Sequence, residues 1–299
     1  MTRMATIRGV RAGHPSAAGS PLAGVRGLLL DLDGVVVLKG EVLPGAAAAI
    51  AELDRRRIPY RIVTNTSNVS RRSLARFGAS IGVDVPADRI ISALSVAAAD
   101  TARRFPGRPL FVLASPDALT EFSGQHLLTL DEASTPGVTA AAVVVGDSPE
   151  SISFANLNAA FRLIRAGAEL IGMHRNRWWL TPDGPTVDSG ALVAGLEYAA
   201  EVRATIVGKP ARSFFVEAAA ALGADLAACD GRRAARSELA MVGDDIRTDV
   251  LAAQRVGLRG VFVLSGKHDL TDLDAATSGR TTAPDLVADS LLDVVAALD

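Results

Sequence analysis

The sequence predicts an α/β protein: a core domain with a parallel sheet and helices on both faces, and a second α/β domain inserted into it. Short apolar strands alternate with helical segments along most of the chain, which is the pattern of βαβ units. The length of 299 residues favours two domains. Acidic, hydroxyl and amine side chains that could act in catalysis or binding follow the predicted core strands. They fall in two separate groups, within residues 27–65 and 205–249.

Composition argues against several classes of protein. Hydrophobic residues make up 49% of the chain and charged residues 21%, which is enough apolar material for two cores. A net charge of −2 argues against binding to nucleic acid or to a membrane surface. No apolar run approaches the ~18 residues of a membrane span. The single cysteine, Cys229, cannot form an internal disulfide, which fits a cytoplasmic protein.

Residues 1–25 differ in composition from the rest of the chain. They contain arginines but no acidic residue, and they lack the apolar centre of a secretory signal. We predict a disordered leader, with an organelle transit peptide as the alternative. The core domain is predicted to comprise residues 26–103 and 204–299, and the inserted α/β domain residues 104–203.

The predicted elements follow one rhythm. An apolar strand at 27–31 ends in a carboxylate, and a helix at 45–57 carries basic residues at its C-terminal end, where the dipole favours cations. A strand at 59–63 and a helix at 70–81 follow. Further strands are predicted at 110–113, 142–145, 170–173, 205–207, 239–242 and 261–264, and helices at 153–166, 190–202, 214–222 and 249–256. Residues 267–285 are polar and are predicted to be a surface loop.

Two aspartates, Asp31 and Asp33, leave the first strand together. Alternate residues of a strand point to the same side, so their carboxylates lie close and need a cation to offset their repulsion. Gly34 then permits a tight turn. Because Asp31 ends an apolar run, we favour a functional pair over the alternative, a solvated Asp-Gly turn.

Polar residues also follow the strands at 59–63 and 205–207. Thr64 and Asn65 begin a run of hydroxyls and amides that suits a phosphate, although the same residues are ordinary helix caps and turn formers. Lys209 lies in a Gly-Lys-Pro turn that lacks the spacing of a P-loop. Arginine supplies most of the 31 basic residues and lysine only three, so an ammonium at this position is a further indication of function.

Three carboxylates, Asp244, Asp245 and Asp249, follow the strand at 239–242. The functional interpretation is that one of these carboxylates coordinates a hard cation such as Mg²⁺. The alternative is that they form the acidic first turn of a helix, where the dipole favours negative charge. Ligands bind at the carboxyl ends of strands in an open parallel sheet. We therefore expect the motifs that end core strands to meet in one site.

In the inserted domain, His174, Arg175 and Arg177 stand beside two tryptophans. Arginines pair with anionic groups and tryptophan packs over rings, so this segment is a candidate for binding a ligand that carries such groups. The alternative is a solvated charged segment beside tryptophans that pack internally or in a dimer. For Asp183, Asp188 and Ser189, a place in the site and helix capping are equal alternatives.

Taken in order, Asp-Leu-Asp-Gly-Val, Thr-Asn, Gly-Lys-Pro and Gly-Asp-Asp with Asp249 resemble the haloacid dehalogenase (HAD) superfamily, specifically its Mg²⁺-dependent phosphatases. The likeness covers nearly all of residues 27–270. The inserted domain is similar to the type IIA cap of the NagD-like enzymes. Residues 158–162 and 196–199 most resemble the branch of phospholysine phosphohistidine inorganic pyrophosphate phosphatases. The resemblance implies a Rossmann-like core with an α/β cap.

The resemblance also implies a role for each motif. Asp31 is the nucleophile that forms an aspartyl-phosphate, and Asp33 is the general acid and then the base. Asp31, the backbone carbonyl of Asp33 and Asp244 hold Mg²⁺, with Asp249 supporting them. Asp245 is a candidate for the same supporting role, which the sequence does not decide. The residues implied to bind substrate or phosphate are Leu32, Gly34, Thr64, Asn65 and Lys209 in the core and His174, Arg175 and Arg177 in the cap.

The expected activity is Mg²⁺-dependent hydrolysis of a small phosphomonoester metabolite. The alternative is a pyrophosphate or phosphoramidate (phosphohistidine, phospholysine) phosphatase, and a third possibility is a metabolite-binding protein that kept the fold and lost turnover. The expected partner is the phosphorylated metabolite, with neither nucleic acid nor membrane. The resemblance further suggests a homodimer formed through the cap.

Overall fold

The computed structural model describes residues 6–7, 10–12, 20–147, 152–181, 183–230, 235–278 and 282–298. The chain divides into two compact units. Unit 1 comprises Met1–Thr64, Arg76–Ile90 and Lys209–Asp299, and unit 2 comprises Asn65–Ala75 and Ile91–Gly208. Each unit contains a sheet with helices, so the predicted α/β fold class is confirmed.

The described strands are β1 (Thr6–Ile7), β2 (Val10–Ala12), β3 (Gly27–Asp31), β4 (Val37–Leu38), β5 (Glu41–Val42), β6 (Tyr60–Thr64), β7 (Ile90–Ser92), β8 (Leu110–Leu113), β9 (Ala142–Val145), β10 (Glu169–Gly172), β11 (Trp178–Thr181), β12 (Gly184–Val187), β13 (Thr205–Ile206), β14 (Leu239–Gly243), β15 (Arg259–Val263) and β16 (Leu286–Ala288). The described helices are α1 (Ala46–Arg55), α2 (Arg71–Ser80), α3 (Ala93–Arg104), α4 (Pro116–Leu119), α5 (Leu130–Ser134), α6 (Phe154–Arg165), α7 (Ser189–Ala200), α8 (Arg212–Asp230), α9 (Leu251–Gln254), α10 (Leu270–Thr277) and α11 (Leu291–Ala296). None of these helices has the length and hydropathy needed to span a membrane.

The central sheet of unit 1 has eight strands, in the order β1-β2-β16-β15-β14-β3-β6-β7. Strands β16, β15, β14, β3 and β6 run parallel, and β3 and β14 are buried along their whole length. Strands that are buried on both faces have continuous apolar sequences, as residues 27–30 and 239–242 do. The carboxyl ends of β14, β3 and β6 therefore meet as neighbours at one edge of the sheet.

Unit 2 contains a four-stranded parallel sheet in the order β13-β10-β9-β8. Helices α6 and α7 cover it through an apolar cluster that includes Val143, Leu163, Val193 and Leu196. An antiparallel hairpin of β11 and β12 follows β10.

The strand that precedes Lys209 lies in a different sheet from the one predicted. β13 pairs in parallel with β10, so it completes the sheet of unit 2 rather than the core sheet. The reason is connectivity: α7 carries the chain back to the neighbour of β10, as in an ordinary βαβ crossover. Lys209 begins the next segment of unit 1.

The prediction of a loop at 267–285 is wrong, because α10 lies within it. Asp269 caps this helix by accepting hydrogen bonds from the backbone N–H groups of Thr271 and Asp272 at 2.7 and 3.0 Å. Leu273 and Ala276 are buried, one turn apart. Two small apolar contacts in a polar segment were too weak a periodic signal to predict a helix.

Two short strands lie in the segment predicted to be a disordered leader. β2 pairs antiparallel with β16, and β1 pairs with β2. Backbone hydrogen bonds at the edge of a sheet require no apolar pattern, so composition gave no sign of them. For residues 1–5, 8–9 and 13–19, the prediction concerns positions outside the described residues.

Candidate active site

Three buried aspartates meet at the carboxyl edge of the unit 1 sheet. Asp31 ends β3, Asp244 directly follows β14, and Asp249 lies in the π-helical turn Ile246–Val250 that precedes α9. One carboxylate oxygen from each lies within 4.8 Å of the other two. The structure therefore brings together the first and fourth sequence motifs.

Lys209 is buried between two of these carboxylates. Its Nζ lies 2.7 Å from Asp31 Oδ1 and 2.9 Å from Asp249 Oδ1, and its side chain is 3% exposed. The carbonyl of Val63 accepts a further hydrogen bond from Nζ at 3.5 Å. Although burial disfavours the charged form, Asp249 and Asp31 raise the pKa of Lys209 above its usual value. The third motif therefore joins the site as an ammonium.

One ammonium does not neutralise three carboxylates, and their pKa values reflect this. Burial raises the pKa of Asp31, and Lys209 opposes the rise. Burial, followed by the charge of Asp249, raises the pKa of Asp244 to about 6, and burial with the charge of Asp31 raises that of Asp249 to about 8. A divalent cation would offset this excess negative charge, and carboxylate oxygens are ligands that Mg²⁺ takes. The residues present therefore fit Mg²⁺.

Asp33 and Gly34 lie in the loop that follows β3. Asp33 is an exposed residue, yet the chain around its carboxyl desolvates it and raises its pKa. Gly34 has a φ of 79°, and a Cβ there would lie 2.3 Å from Asp244 Oδ2, so only glycine lets the loop pass this close to the carboxylate. The N–H of Leu32 donates to Asp31 Oδ1 at 2.8 Å and so fixes one oxygen of that carboxylate.

The sequence left the role of Asp245 open. Its Oδ1 accepts hydrogen bonds from the N–H groups of Arg247 and Thr248, each at 2.9 Å, and so caps the turn that contains Asp249. Its Oδ2 lies 2.8 Å from Lys267 Nζ. Burial of the Asp245 carboxylate favours a higher pKa, but the nearby Lys267 ammonium outweighs burial and lowers the pKa to about 2. Both carboxylate oxygens of Asp245 therefore have partners within the protein: the N–H groups at the helix start and the Lys267 ammonium.

The second motif is divided between the two units. Thr64 ends β6, next to β3, and is buried. Asn65 begins the first segment of unit 2 and donates from Nδ2 to Asn176 Oδ1 at 3.5 Å. Gly208 packs against Asn65 so closely that a Cβ there would lie 2.8 Å from the Asn65 Oδ1.

His174 is a buried histidine in unit 2. Its Nε2 lies 3.1 Å from Ser67 Oγ and 3.2 Å from Ser189 Oγ, and the N–H of Asn176 donates to its Nδ1 at 3.3 Å. Burial lowers the pKa of His174 to about 4, so the ring is neutral at pH 7. A neutral imidazole does not attract a phosphate as a cation would. Phosphate binding by His174 stays a prediction, and these contacts favour a structural role.

The other predicted cap residues also have contacts within unit 2. Arg175 pairs with Glu197 of α7, and the carbonyl of Arg177 accepts a hydrogen bond from the N–H of Asp188 at 3.2 Å. Asp188 is the N-cap of α7 and accepts from the Ser189 N–H at 2.7 Å, which supports helix capping. Substrate binding by Arg175 and Arg177 stays a prediction.

The loop at 265–267 contacts the site, although it was not among the predicted site segments. The hydroxyl of Ser265 donates to the carbonyl of Gly34 at 2.7 Å, and the N–H of Lys267 donates to Asp244 Oδ2 at 2.8 Å. A signal was present, because Lys267 is one of only three lysines and follows a predicted strand, as Lys209 does. Asp269 and Asp272 follow this lysine, but their spacing matches none of the motifs considered above, so no motif pointed to the loop.

Comparisons with known proteins show the family of the chain. The family model for haloacid dehalogenase-like hydrolases matches residues 28–127, and a second model of HAD-like hydrolases matches residues 206–294. The haloacid dehalogenase-like hydrolase domain-containing protein 2 of Bos taurus is 34% identical over 250 residues, which cover 84% of this chain and 88% of the relative. The phospholysine phosphohistidine inorganic pyrophosphate phosphatase of Homo sapiens is 32% identical over 260 residues, with coverages of 85% and 88%.

Solved structures show the same fold. The p-nitrophenyl phosphatase from Archaeoglobus fulgidus superposes with a TM-score of 0.80 at 28% identity, covering 92% of this chain and 99% of its own. NagD from E. coli K-12 superposes with a TM-score of 0.76 at 25% identity, with coverages of 90% and 98%. The chain belongs to the haloacid dehalogenase-like hydrolases. Within that family it is a NagD-like phosphatase.

Proposed function

We propose that this phosphatase hydrolyses a small phosphomonoester metabolite, with Mg²⁺ and through an aspartyl-phosphate on Asp31. The observation that carries the proposal is the environment of Asp31 at the end of a central strand. Lys209 Nζ lies 2.7 Å from one of its oxygens, and the Leu32 N–H donates to the same oxygen. A carboxylate fixed in this way is oriented to attack phosphorus, and the ammonium reduces the repulsion between two anions.

Mg²⁺ would be held by the carboxylates of Asp31 and Asp244 and the backbone carbonyl of Asp33. When bound, the ion neutralises charge on the phosphoryl oxygens. Asp249 would not bind the ion directly but would position the groups around it. Its Oδ1 pairs with Lys209 Nζ at 2.9 Å, and its Oδ2 accepts a hydrogen bond from the Asp245 N–H at 3.2 Å.

Asp33 serves as general acid and then as general base. Its exposed position lets it reach a leaving group, and its raised pKa favours the protonated acid. It gives its proton to the leaving oxygen as the bond to phosphorus breaks. The carboxylate then takes a proton from the water that attacks the aspartyl-phosphate, which returns both groups to their starting states. Thr64 and Lys209 hydrogen-bond the transferring phosphoryl group.

Unit 2 serves as a type IIA cap in this proposal. Arg175 and Arg177 bind the leaving group of the substrate and so determine specificity. The position of unit 2 in the sequence, between the Thr64 motif and Lys209, supports this assignment. Both arginines are exposed on the segment between β10 and β11. An anionic substituent would bind the Arg177 guanidinium directly and would compete with Glu197 for that of Arg175.

A second candidate is a pyrophosphate or phosphoramidate phosphatase. The observation that favours it is the 32% identity, over 260 residues, to a phospholysine phosphohistidine inorganic pyrophosphate phosphatase. Both candidates use the same Asp31 chemistry and differ only in the leaving group.

The test is phosphate release across a panel of phosphorylated metabolites, with an aryl phosphate, pyrophosphate and a phosphoramidate included, with and without Mg²⁺. We expect Mg²⁺-dependent turnover that is lost in Asp31→Asn and kept in Asp289→Asn, a matched change at an exposed residue. Turnover that needs neither Mg²⁺ nor Asp31 would overturn the proposal. A clear preference for pyrophosphate or the phosphoramidate would select the second candidate.

A further inference from the structure

We infer that Lys267 is a positioning residue, whose ammonium, paired with Asp245, holds the loop at 265–267 so that its backbone orients the Asp244 carboxylate. The inference rests on the proposed function, because Asp244 is a proposed Mg²⁺ ligand. It assigns a role in the site to a loop that lies outside the motifs of the sequence.

The loop at 265–267 connects β15 to α10 and contacts two parts of the site. The Ser265 hydroxyl donates to the Gly34 carbonyl at 2.7 Å, which ties the loop to the turn after β3. The Lys267 N–H donates to Asp244 Oδ2 at 2.8 Å. One oxygen of Asp244 therefore depends on where the backbone of this loop lies.

Two glycines leave the Asp244 carboxylate little freedom. A Cβ on Gly266 would lie 2.1 Å from Asp244 Oδ2, and a Cβ on Gly34 would lie 2.3 Å from the same oxygen. The carboxylate thus fits between two backbone segments that approach as closely as glycine allows. A small shift of either segment moves the oxygen or removes its hydrogen bond.

The side chain of Lys267 supplies the anchor for one of these segments. Its Nζ lies 2.8 Å from Asp245 Oδ2, while the helix start already fixes the other oxygen of Asp245. The ammonium is therefore tied to a rigid acceptor, which reduces the entropy lost in forming the pair. Asp245 is adjacent to Asp244 in the chain, so the ion pair and the backbone hydrogen bond clamp the loop at two consecutive aspartates.

The test is calorimetric titration of the full-length protein with Mg²⁺. Groups that orient a metal ligand typically change metal affinity by about 10–100-fold, and for this partly exposed pair we expect about 5–10-fold weaker binding in Lys267→Met and in Asp245→Asn. The double variant should bind no more weakly than either single variant, because both act through one ion pair. Lys267→Arg should recover part of the affinity.

A matched control is Arg55→Met on α1. This change removes an exposed ion pair, in which Arg55 Nη2 lies 2.6 Å from Glu52 Oε1. It should leave Mg²⁺ affinity unchanged. An unchanged affinity in Lys267→Met would overturn the inference, as would additive losses in the double variant. A raised KM for substrate at saturating Mg²⁺ in Lys267→Met alone, with Asp245→Asn normal, would also overturn it, because the lysine would then bind substrate directly.

A crystal structure of Lys267→Met separates this inference from the proposed function. We expect a displaced loop at 265–267 and a rotated Asp244 carboxylate, whether or not the protein binds Mg²⁺. If the wild-type protein binds no Mg²⁺ but the loop moves, the proposed metal fails and the positioning role stands. An unmoved Asp244 carboxylate would overturn the positioning role.

Discussion

At the scale of single residues, Lys209 is the group on which the charge balance of the site depends. Its ammonium contacts both Asp31 and Asp249 and is almost wholly buried. A lysine ammonium is a compact point charge, whereas an arginine guanidinium is a wide planar fork. The position therefore selects lysine in a chain that otherwise uses arginine for most basic residues.

Replacing Lys209 by methionine should leave two buried carboxylates without a counter-charge. We expect the free energy of unfolding at pH 7 to fall by about 3–5 kcal/mol and phosphatase activity to be lost. Lys209→Arg should keep the charge but lose activity as well, because its geometry differs. Urea unfolding and phosphate release measure the two effects. A Lys209→Met variant within about 1 kcal/mol of the wild type would contradict this account of the charge balance.

Replacing Gly266 by alanine tests the close packing around Asp244. The added Cβ would lie 2.1 Å from Asp244 Oδ2, so we expect the carboxylate to be displaced and Mg²⁺-dependent activity to fall at least about tenfold. Gly195→Ala in α7 is the control, because open space surrounds that position. It should keep full activity and stabilise the fold by about 0.5–1 kcal/mol. Equal activity in the two variants would show that the glycine is not required.

The convergence of Asp31, Asp244 and Asp249 was predictable, because each directly follows or lies near the end of a buried strand. Ligands bind at the carboxyl ends of strands in an open parallel sheet, so the position of these residues at strand ends predicted a shared site, although not which strands are neighbours. The position of Lys267 was not predictable in the same way. Its contact with Asp245 depends on how the loop after β15 bends back, and no local pattern encodes that path.

At the scale of elements, His174 joins three segments of unit 2. Its ring contacts Ser67 in the segment after β6 and Ser189 at the start of α7, and His174 itself follows β10. The N–H of Asp147, just after β9, also donates to Ser67 Oγ, at 2.9 Å. These hydrogen bonds connect the ends of several elements through one neutral imidazole, and the sequence offered only an isolated histidine beside arginines.

The burial of His174 predicts a pH dependence of stability. Its pKa is about 4 in the fold against 6.5 when unperturbed, so the unfolded state takes up the proton first as pH falls. Stability should therefore be independent of this group above pH 6.5 and decrease between pH 6.5 and 4, with a loss of roughly 2 kcal/mol by pH 5.

Chemical unfolding of the wild type and of His174→Gln at pH 7 and pH 5 measures this loss. The variant has no imidazole to titrate, so its stability should fall less between the two pH values, even if it is less stable at both. Parallel losses in the two proteins would show that His174 does not cause the pH dependence.

The elements themselves were predicted with uneven success. β8 and β9 have the predicted bounds, because their apolar runs are short and flanked by turn residues. The helix predicted at 214–222 begins at Arg212 and continues to Asp230 as α8, so Gly223, a usual stop signal, lies inside the helix and does not end it. The sheet assignment of β13 failed because strand pairing is a long-range property that a two-residue strand cannot specify.

At the scale of the whole molecule, exposed apolar side chains are concentrated in unit 2. Among the described residues, large hydrophobic side chains with substantial exposure in this unit are Ile152, Phe154, Trp178, Trp179, Val187 and Tyr198. Trp178 and Val187 are paired across the hairpin of β11 and β12 and are 60% and 69% exposed. An exposed apolar pair of this kind is typical of a protein contact surface.

We propose that the homodimer expected from the resemblance buries this pair in its interface. Sedimentation velocity at micromolar concentration should then give twice the 30.9 kDa chain mass for the wild type. The double variant Trp178→Ser, Val187→Ser should sediment as a monomer. Phe77→Ser, which removes an exposed aromatic of unit 1, should leave the dimer intact. A monomeric wild type would contradict the dimer, and a dimeric double variant would place the interface elsewhere.

The interrupted path of the chain through unit 1 has a consequence during synthesis. β3 leaves the ribosome early, but its neighbour β14 begins only at residue 239, after unit 2 has been translated. At about 5–20 residues per second, one edge of the apolar strand β3 waits roughly 10–40 s for its partner. The segment Ile91–Gly208 is contiguous and has no such delay. Nascent chains that stall before residue 239 therefore present an unpaired apolar strand edge, which is a substrate for chaperones and a nucleus for aggregation.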